Sequence, residues 1–185
     1  MRKQQREAIL ALLEETYMGT ETALNYSTPF ELLVAVIMSA QCTDERVNKI
    51  TARIFPKYNT PEKMGTLSQE QLEEEIRDCG LFRSKAKNLL ATCKMLTEEY
   101  NSVIPDTVEE LMKLPGVGKK TANVVASIVY KVPAIAVDTH VFRVSHRLGL
   151  AKGDDPLAVE KELQKAIPKN KWSDAHHWLI WHGRK

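Results

Sequence analysis

Leu114-Pro115-Gly116-Val117-Gly118-Lys119-Lys120-Thr121 decides how the rest of this chain is read. Pro115 cannot continue a helix from the N-terminal side. Gly116 and Gly118 allow the backbone to turn sharply and to come close to another group. The residues after Gly118 begin a new helical pattern, so the turn carries that helix's first N–H groups and its positive dipole end, which together make a ready anion site. Two short helices joined this way form a helix-hairpin-helix, a device that holds a nucleic-acid phosphate without reading bases. Two glycine-rich look-alikes are excluded. A P-loop needs glycine five residues before Gly118 and Ser or Thr after Lys119, where this chain has Lys113 and Lys120. A dinucleotide fingerprint needs glycine at Thr121 and a preceding strand.

Outward from the hairpin almost every stretch has helical periodicity. Arg2–Tyr17 places Ile9, Leu12 and Leu13 on one face, and Pro29 opens an apolar run over Phe30–Ala40. Thr43 or Asp44 can cap a helix carrying Val47, Ile50, Ile54 and Phe55. Ser68 with Gln71 has the capping-box pattern, and Gly80 is expected to end that helix in a left-handed conformation. Further helices are expected over Ser84–Tyr100, from Asp106 or Thr107 to near Leu114, and over Val117–Tyr130, Asp138–Leu148, Pro156–Ile167 and Trp172–His182. Ala134–Val137 is the one short strand candidate. No solenoid repeat or low-complexity tract interrupts the pattern, and the class is all-α with short connections.

The 185 residues carry a net charge of only +2, but the charge is sorted. From Lys113 to Lys152 seven basic residues face one acid, Asp138. Thr60–Gly80 has six acids and two bases, and Leu81–Lys94 has four bases and no acid. Such sorting suits a polyanion bound on one face. Cys42, Cys79 and Cys93 are odd in number and widely spaced, as free thiols in a reducing compartment are. No signal peptide or membrane-length apolar segment is visible, so a cytoplasmic protein is expected, nucleoid-associated in a bacterium. The five histidines have no i, i+4 pair and no cysteine frame, and no metal site is expected.

Leu114–Val125 followed by Ala136-Val-Asp-Thr-His-Val-Phe-Arg-Val144 resembles the signature of the endonuclease III family of helix-hairpin-helix DNA glycosylases. Pro29–Leu33 leading to Ser39-Ala-Gln-Cys-Thr-Asp44, Gly80-Leu-Phe-Arg-Ser-Lys-Ala86, and His176–Ile180 leading to His182-Gly-Arg184 agree with it in order and spacing. The resemblance implies a two-lobed, all-α glycosylase fold with the active site in the interlobe cleft. One lobe would run from about Glu21 to Val132 and contain the hairpin, about 107–130. The other would combine residues 1–20 and 133–185 and stop before the family's cluster loop.

The resemblance also implies base excision repair of double-stranded DNA containing oxidised bases or abasic sites, by a monomer. Lys120 would be the nucleophile of both base removal and β-elimination, with Lys119 left for phosphate contact. An amine must be unprotonated to attack, and a water-poor setting beside another cation favours that form. Asp138 would be the carboxylate that stabilises positive charge on the sugar, while also capping the helix that follows it. Flipping a base out leaves a gap in the duplex, and Gln41 and Leu81 would fill it. Gly116, Gly118, Lys119, Thr121 and His140 complete the expected DNA-binding set. Many members carry four closely spaced cysteines after the His-Gly-Arg stretch, holding an iron–sulfur cluster. These residues supply none, so a [4Fe–4S] cluster is expected only if the natural chain continues past Lys185. Part of the apolar surface of Trp172, Trp178 and Trp181 is then expected to be exposed. Adenine-specific and alkylation-specific relatives generally lack the lysine. The alternative from another class is a non-catalytic or weakened helix-hairpin-helix DNA-binding module.

Overall fold

The computed structural model describes residues 2–17, 23–130 and 135–184. Eleven α-helices and a short 3-10 turn are present and no strand occurs among the described residues. The chain forms two compact units, Met1–Thr22 with Ala126–Lys185, and Ala23–Val125. The lobe boundaries expected at Glu21 and Val132 fall outside the described residues, as does Ala134 of the strand candidate; residues 135–138 form no regular element.

In the unit Ala23–Val125 the centre is α2 (Pro29–Met38). Thr28 accepts the Glu31 N–H through its side chain, and Pro29 fills the first helical position, where its missing N–H costs nothing. From Phe30 onward every α2 residue is buried, so this helix is surrounded rather than amphipathic. Leu32 and Leu33 are completely enclosed, each worth about 1.5–3 kcal/mol of burial. Around it pack α3 (Asp44–Ile54), which buries Val47, Ile50 and Ile54, and α6 (Phe82–Glu99), which buries Leu89, Cys93 and Leu96. Of the two caps open at the start of α3, Thr43 takes the role, accepting from Arg46 N. Between them lie α4 (Pro61–Met64) and α5 (Gln69–Glu75). Both hydrogen bonds of the Ser68–Gln71 capping box are made.

The expected end of α5 is corrected. The helix stops at Glu75 with Ile76 as its C-cap, and Gly80 is not left-handed. A Cβ on Gly80 would sit 2.9 Å from the Gln41 carbonyl oxygen, so this glycine serves a close approach between two turns. The left-handed residue is its neighbour Leu81, at φ 59°.

In the other unit, α1 (Lys3–Tyr17), α9 (Thr139–Arg147), α10 (Pro156–Ala166) and α11 (Trp172–Arg184) enclose a core that includes Leu13, Tyr17, Val141, Val144, Val159, Leu163, Trp178 and Leu179. Asp155 caps α10 by accepting Ala158 N–H. The expected partial exposure of the tryptophans holds for Trp172 and Trp181, which are half-buried, while Trp178 is buried. Trp172 donates its indole N–H to the Ile167 carbonyl at 2.8 Å, and Arg184 stacks on Trp181.

Candidate functional site

The hairpin consists of α7 (Val108–Leu111), capped by Thr107, and α8 (Lys119–Tyr130). Between them Leu114 and Val117 point into the core, and the Val117 N–H returns to the Leu114 carbonyl at 3.1 Å. Gly116 has φ +79°, and a Cβ there would lie 2.9 Å from Cβ of Asn88. Conformation and space both demand glycine at this point. Gly118, paired with it in the sequence reading, is different: its φ is not positive and no atom comes within 4 Å of a Cβ built on it. Its bareness leaves the start of α8 open. Lys119 and Lys120 stand in the first turn, both exposed, with Thr121 half-buried beside them. Two cations at a positive helix end are unfavourable for the helix alone, so this arrangement fits an external anion.

Gln41 and Leu81 both lie on turns in the same unit and both have positive φ, 55° and 59°. Such conformations are strained for residues with a Cβ and cluster at functional sites. Leu81 is 57% exposed, a large apolar side chain presented to solvent. These turns are joined to the hairpin by a row of residues that the sequence reading missed. Along α6, Lys85 reaches the carbonyls of Met38 and Ala40 at 2.9 and 2.6 Å, Asn88 packs on Gly116, and Thr92 donates to the Pro115 carbonyl at 2.8 Å. The spacing 85, 88, 92 is one helix face. The signal available in the sequence was the polar character of these positions on a helix with an otherwise apolar inward stripe. Lys85 was counted among a basic surface run, but only 5% of it is exposed.

Asp138 belongs to the other unit. It is the N-cap of α9, half-buried, and Oδ1 accepts the Val141 N–H at 2.8 Å. His140, in the first turn, accepts at Nδ1 from Arg143, whose guanidinium also donates to the Gly183 carbonyl at 2.7 Å. His182 shares a 2.9 Å hydrogen bond with the Tyr17 hydroxyl. His176 is buried and donates from Nδ1 to the Ala136 carbonyl, two residues before Asp138. His176 therefore braces the segment that leads into α9, and the Gly183 carbonyl holds α9 itself through Arg143.

The three cysteines are free thiols. Burial pushes the Cys79 thiol up, against the pull of the Lys85 ammonium, and pushes Cys93 up to about 12. Among the described residues no group of three or more His, Cys, Asp or Glu could hold a metal ion. No helix among them is long and apolar enough to cross a membrane.

Two all-helical units, one of them carrying a glycine hairpin that opens onto lysines, match the class of helix-hairpin-helix base-excision proteins. Residues 34–169 match the family described as the HhH-GPD superfamily of base excision DNA repair proteins. Over 184 residues the chain is 50% identical to endonuclease III of Rickettsia prowazekii (strain Madrid E), covering 100% of this chain and 87% of that protein. Endonuclease III of Bacillus subtilis (strain 168) is 49% identical over 181 residues, 97% and 83% of the two chains. A solved structure of a trapped endonuclease III–DNA covalent intermediate, the estranged-adenine complex, superposes with a TM-score of 0.96 at 51% identity, covering 100% of this chain and 87% of that one.

The chain belongs to the endonuclease III family and is a base excision repair DNA glycosylase with abasic-site lyase activity. This finding disfavours the non-catalytic alternative. Members of the family carry a [4Fe–4S] cluster. The described residues do not fit one, since four thiolates are needed and two of the three cysteines are buried thiols held in their protonated form.

Proposed function

We propose that this protein removes oxidised pyrimidines from double-stranded DNA and then cleaves the abasic site by β-elimination, with Lys120 as nucleophile and Asp138 as its carboxylate partner. The observation that carries this is the placement of Lys120 in the first turn of α8, exposed beside a hairpin whose backbone can hold the phosphate. A 51% identical relative has been trapped as a covalent intermediate with DNA, which supports an attached nucleophile in the reaction.

The steps follow from amine chemistry. DNA bound at the hairpin displaces water from around Lys120, whose amine attacks in its unprotonated form. The amine attacks C1′ as the bond to the damaged base breaks, and the base leaves with the electron pair. Asp138 stabilises positive charge on the sugar as it develops. Opening of the sugar ring yields a Schiff base between Nζ and C1′. The protonated imine acidifies the C2′ proton. Loss of that proton to a base expels the phosphate at C3′, breaking the strand, and water releases Lys120. Gly116, Gly118, Lys119 and Thr121 hold the phosphate, and His140 faces the DNA beside Asp138. Gln41 and Leu81 fill the gap left by the flipped nucleotide, one polar and one apolar, each on a turn held in a conformation that projects it. The substrate places the protein with chromosomal DNA in the cytoplasm.

The test is borohydride reduction of the protein mixed with abasic-site DNA. A covalent protein–DNA adduct is expected, and it should vanish in Lys120→Gln. Folded wild-type protein that gives no adduct, or Lys120→Gln that still gives one, rejects Lys120 as the nucleophile.

A further inference from the structure

Lys85 is the one lysine of α6 that is buried, and no carboxylate pairs with it among the described residues. A buried ammonium is unfavourable unless its donors are used. Here all three have acceptors: the carbonyl oxygens of Met38 at 2.9 Å and Ala40 at 2.6 Å, and Sγ of Cys79 at 3.2 Å. The Cys79 thiol in turn donates to the Met38 carbonyl at 3.3 Å. Met38 and Ala40 lie at the C-terminal end of α2, where carbonyls lack helical partners and the dipole end is negative. The ammonium therefore closes that helix end and holds the residue immediately before Gln41.

The same residue is fastened to the second turn. Its backbone N–H donates to the Leu81 carbonyl at 3.0 Å, forming the first turn of α6, whose N-cap Leu81 has no side-chain cap of its own. Gly80 completes the junction, since its missing Cβ lets it lie against the Gln41 carbonyl. Gln41 and Leu81 come from segments forty residues apart and each is in a strained left-handed conformation. One residue, through its backbone N–H at the Leu81 turn and its side-chain ammonium at the end of α2, ties them together.

We propose that Lys85 is a positioning residue that sets Gln41 and Leu81 at a fixed separation, so that they enter the duplex as a pair. An apolar side chain of the same length would fill the space equally well, but it would leave the Met38 and Ala40 carbonyls without a donor and the Gln41 turn free to relax. The proposal rests on the reading of Gln41 and Leu81 as gap-filling residues. It deepens that reading by assigning what holds them.

The experiment compares single-turnover base release from two DNAs. One is a fully paired duplex carrying one thymine glycol; the other carries the same lesion inside a non-complementary bubble, where no unstacking is required. Lys85→Met is expected to lose about tenfold on the paired duplex and less than about threefold on the bubble. Lys85→Gln, which keeps one amide donor, should fall between it and wild type, and it carries the test if Lys85→Met does not fold. Equal losses on both DNAs, or no loss on either, overturn the proposal. Gln41→Ala and Leu81→Ala in the same assay separate the two levels. If they lose activity selectively on the paired duplex while the Lys85 variants do not, only the role of Lys85 falls. If they show no such selectivity, the gap-filling reading fails and the role of Lys85 falls with it.

Discussion

Two helix starts carry the proposed chemistry, and they are built in opposite ways. At α9, Asp138 caps its own helix, its Oδ1 taking the Val141 N–H, and the last turn carries His146 and Arg147 at the negative dipole end. The charges at both ends sit where the helix favours them. At α8, the residue before the helix is Gly118, which has no side chain to cap with, and the first turn carries Lys119 and Lys120 and no acid. Every charge there sits where the helix disfavours it. A self-satisfied terminus holds a carboxylate in place without help, whereas the other suits the DNA phosphate that the proposed reading puts there. Departures from local rules concentrate at functional sites, and α8 is the departure.

The sharpest break in this comparison comes from Lys120→Gln. The lyase rate should fall on the order of a thousandfold or more, while the melting temperature rises by about a degree or two as a cation leaves the positive helix end. Single-turnover cleavage of abasic DNA and a thermal melt on the same preparation check both. A melting temperature that falls would mean that the start of α8 is not strained by its lysines.

Asp138→Asn separates cap from charge at the other terminus. The amide oxygen still accepts from Val141, so stability should change by less than about 1 kcal/mol. Base release should slow roughly a hundredfold because the charge facing the sugar is gone. Asp138→Ala removes both and should add the cap's loss of about 1 kcal/mol. Equal rates for wild type and Asp138→Asn would take the carboxylate out of the mechanism.

Within the hairpin the two glycines test which part is geometry and which is access. Gly116→Ala meets Asn88 and a positive φ, and should cost about 1–3 kcal/mol in chemical denaturation. Gly118→Ala meets nothing within 4 Å and should leave stability within about 0.5 kcal/mol while weakening DNA binding. If both variants unfold equally, Gly118 has a structural role that its surroundings do not suggest.

What was legible in the sequence was local. Thr43, Ser68 and Asp138 each cap a helix through an N–H only three residues on, so a short window contains the whole cause. The hairpin was legible for the same reason. The conformation of Gly80 and the burial of Lys85 were not, because their causes lie far away in the chain. Lys85 meets Met38 across 47 positions, and Gly80 is required by the Gln41 carbonyl rather than by its own φ. The burial of Trp178 was hidden likewise, since it is covered by the core that includes Leu13 and Tyr17 from the other end of the sequence. The roles proposed for Lys120 and Asp138 come from family resemblance, and helix periodicity alone would have read them as a solvated lysine and an ordinary cap.

The smallest expected effect lies at the far end of α9, where compliance with the dipole can be titrated. His146 reaches two carbonyls, Phe142 through Nδ1 at 2.7 Å and Gly153 through Nε2 at 2.8 Å. Neutral imidazole has one N–H and can donate to only one of them; imidazolium donates to both. The hydrogen bond to Phe142 therefore raises the His146 pKa above its ordinary 6.5, desolvation opposes it, and the Gly153 carbonyl, Glu162 and Asp154 add to the rise. Glu162 holds the same loop from the other side, accepting the N–H groups of Lys152 and Gly153. A pKa raised in the folded state means that the native protein binds the proton more tightly than the unfolded chain. The stabilisation from His146 is thus fully present below its unfolded pKa and is lost as pH rises through the folded value. The melting-temperature difference between wild type and His146→Gln should be largest in mildly acidic buffer and shrink as the pH is raised past that window. A difference that stays constant across it would show that one hydrogen bond, not the charged pair, holds this end of α9.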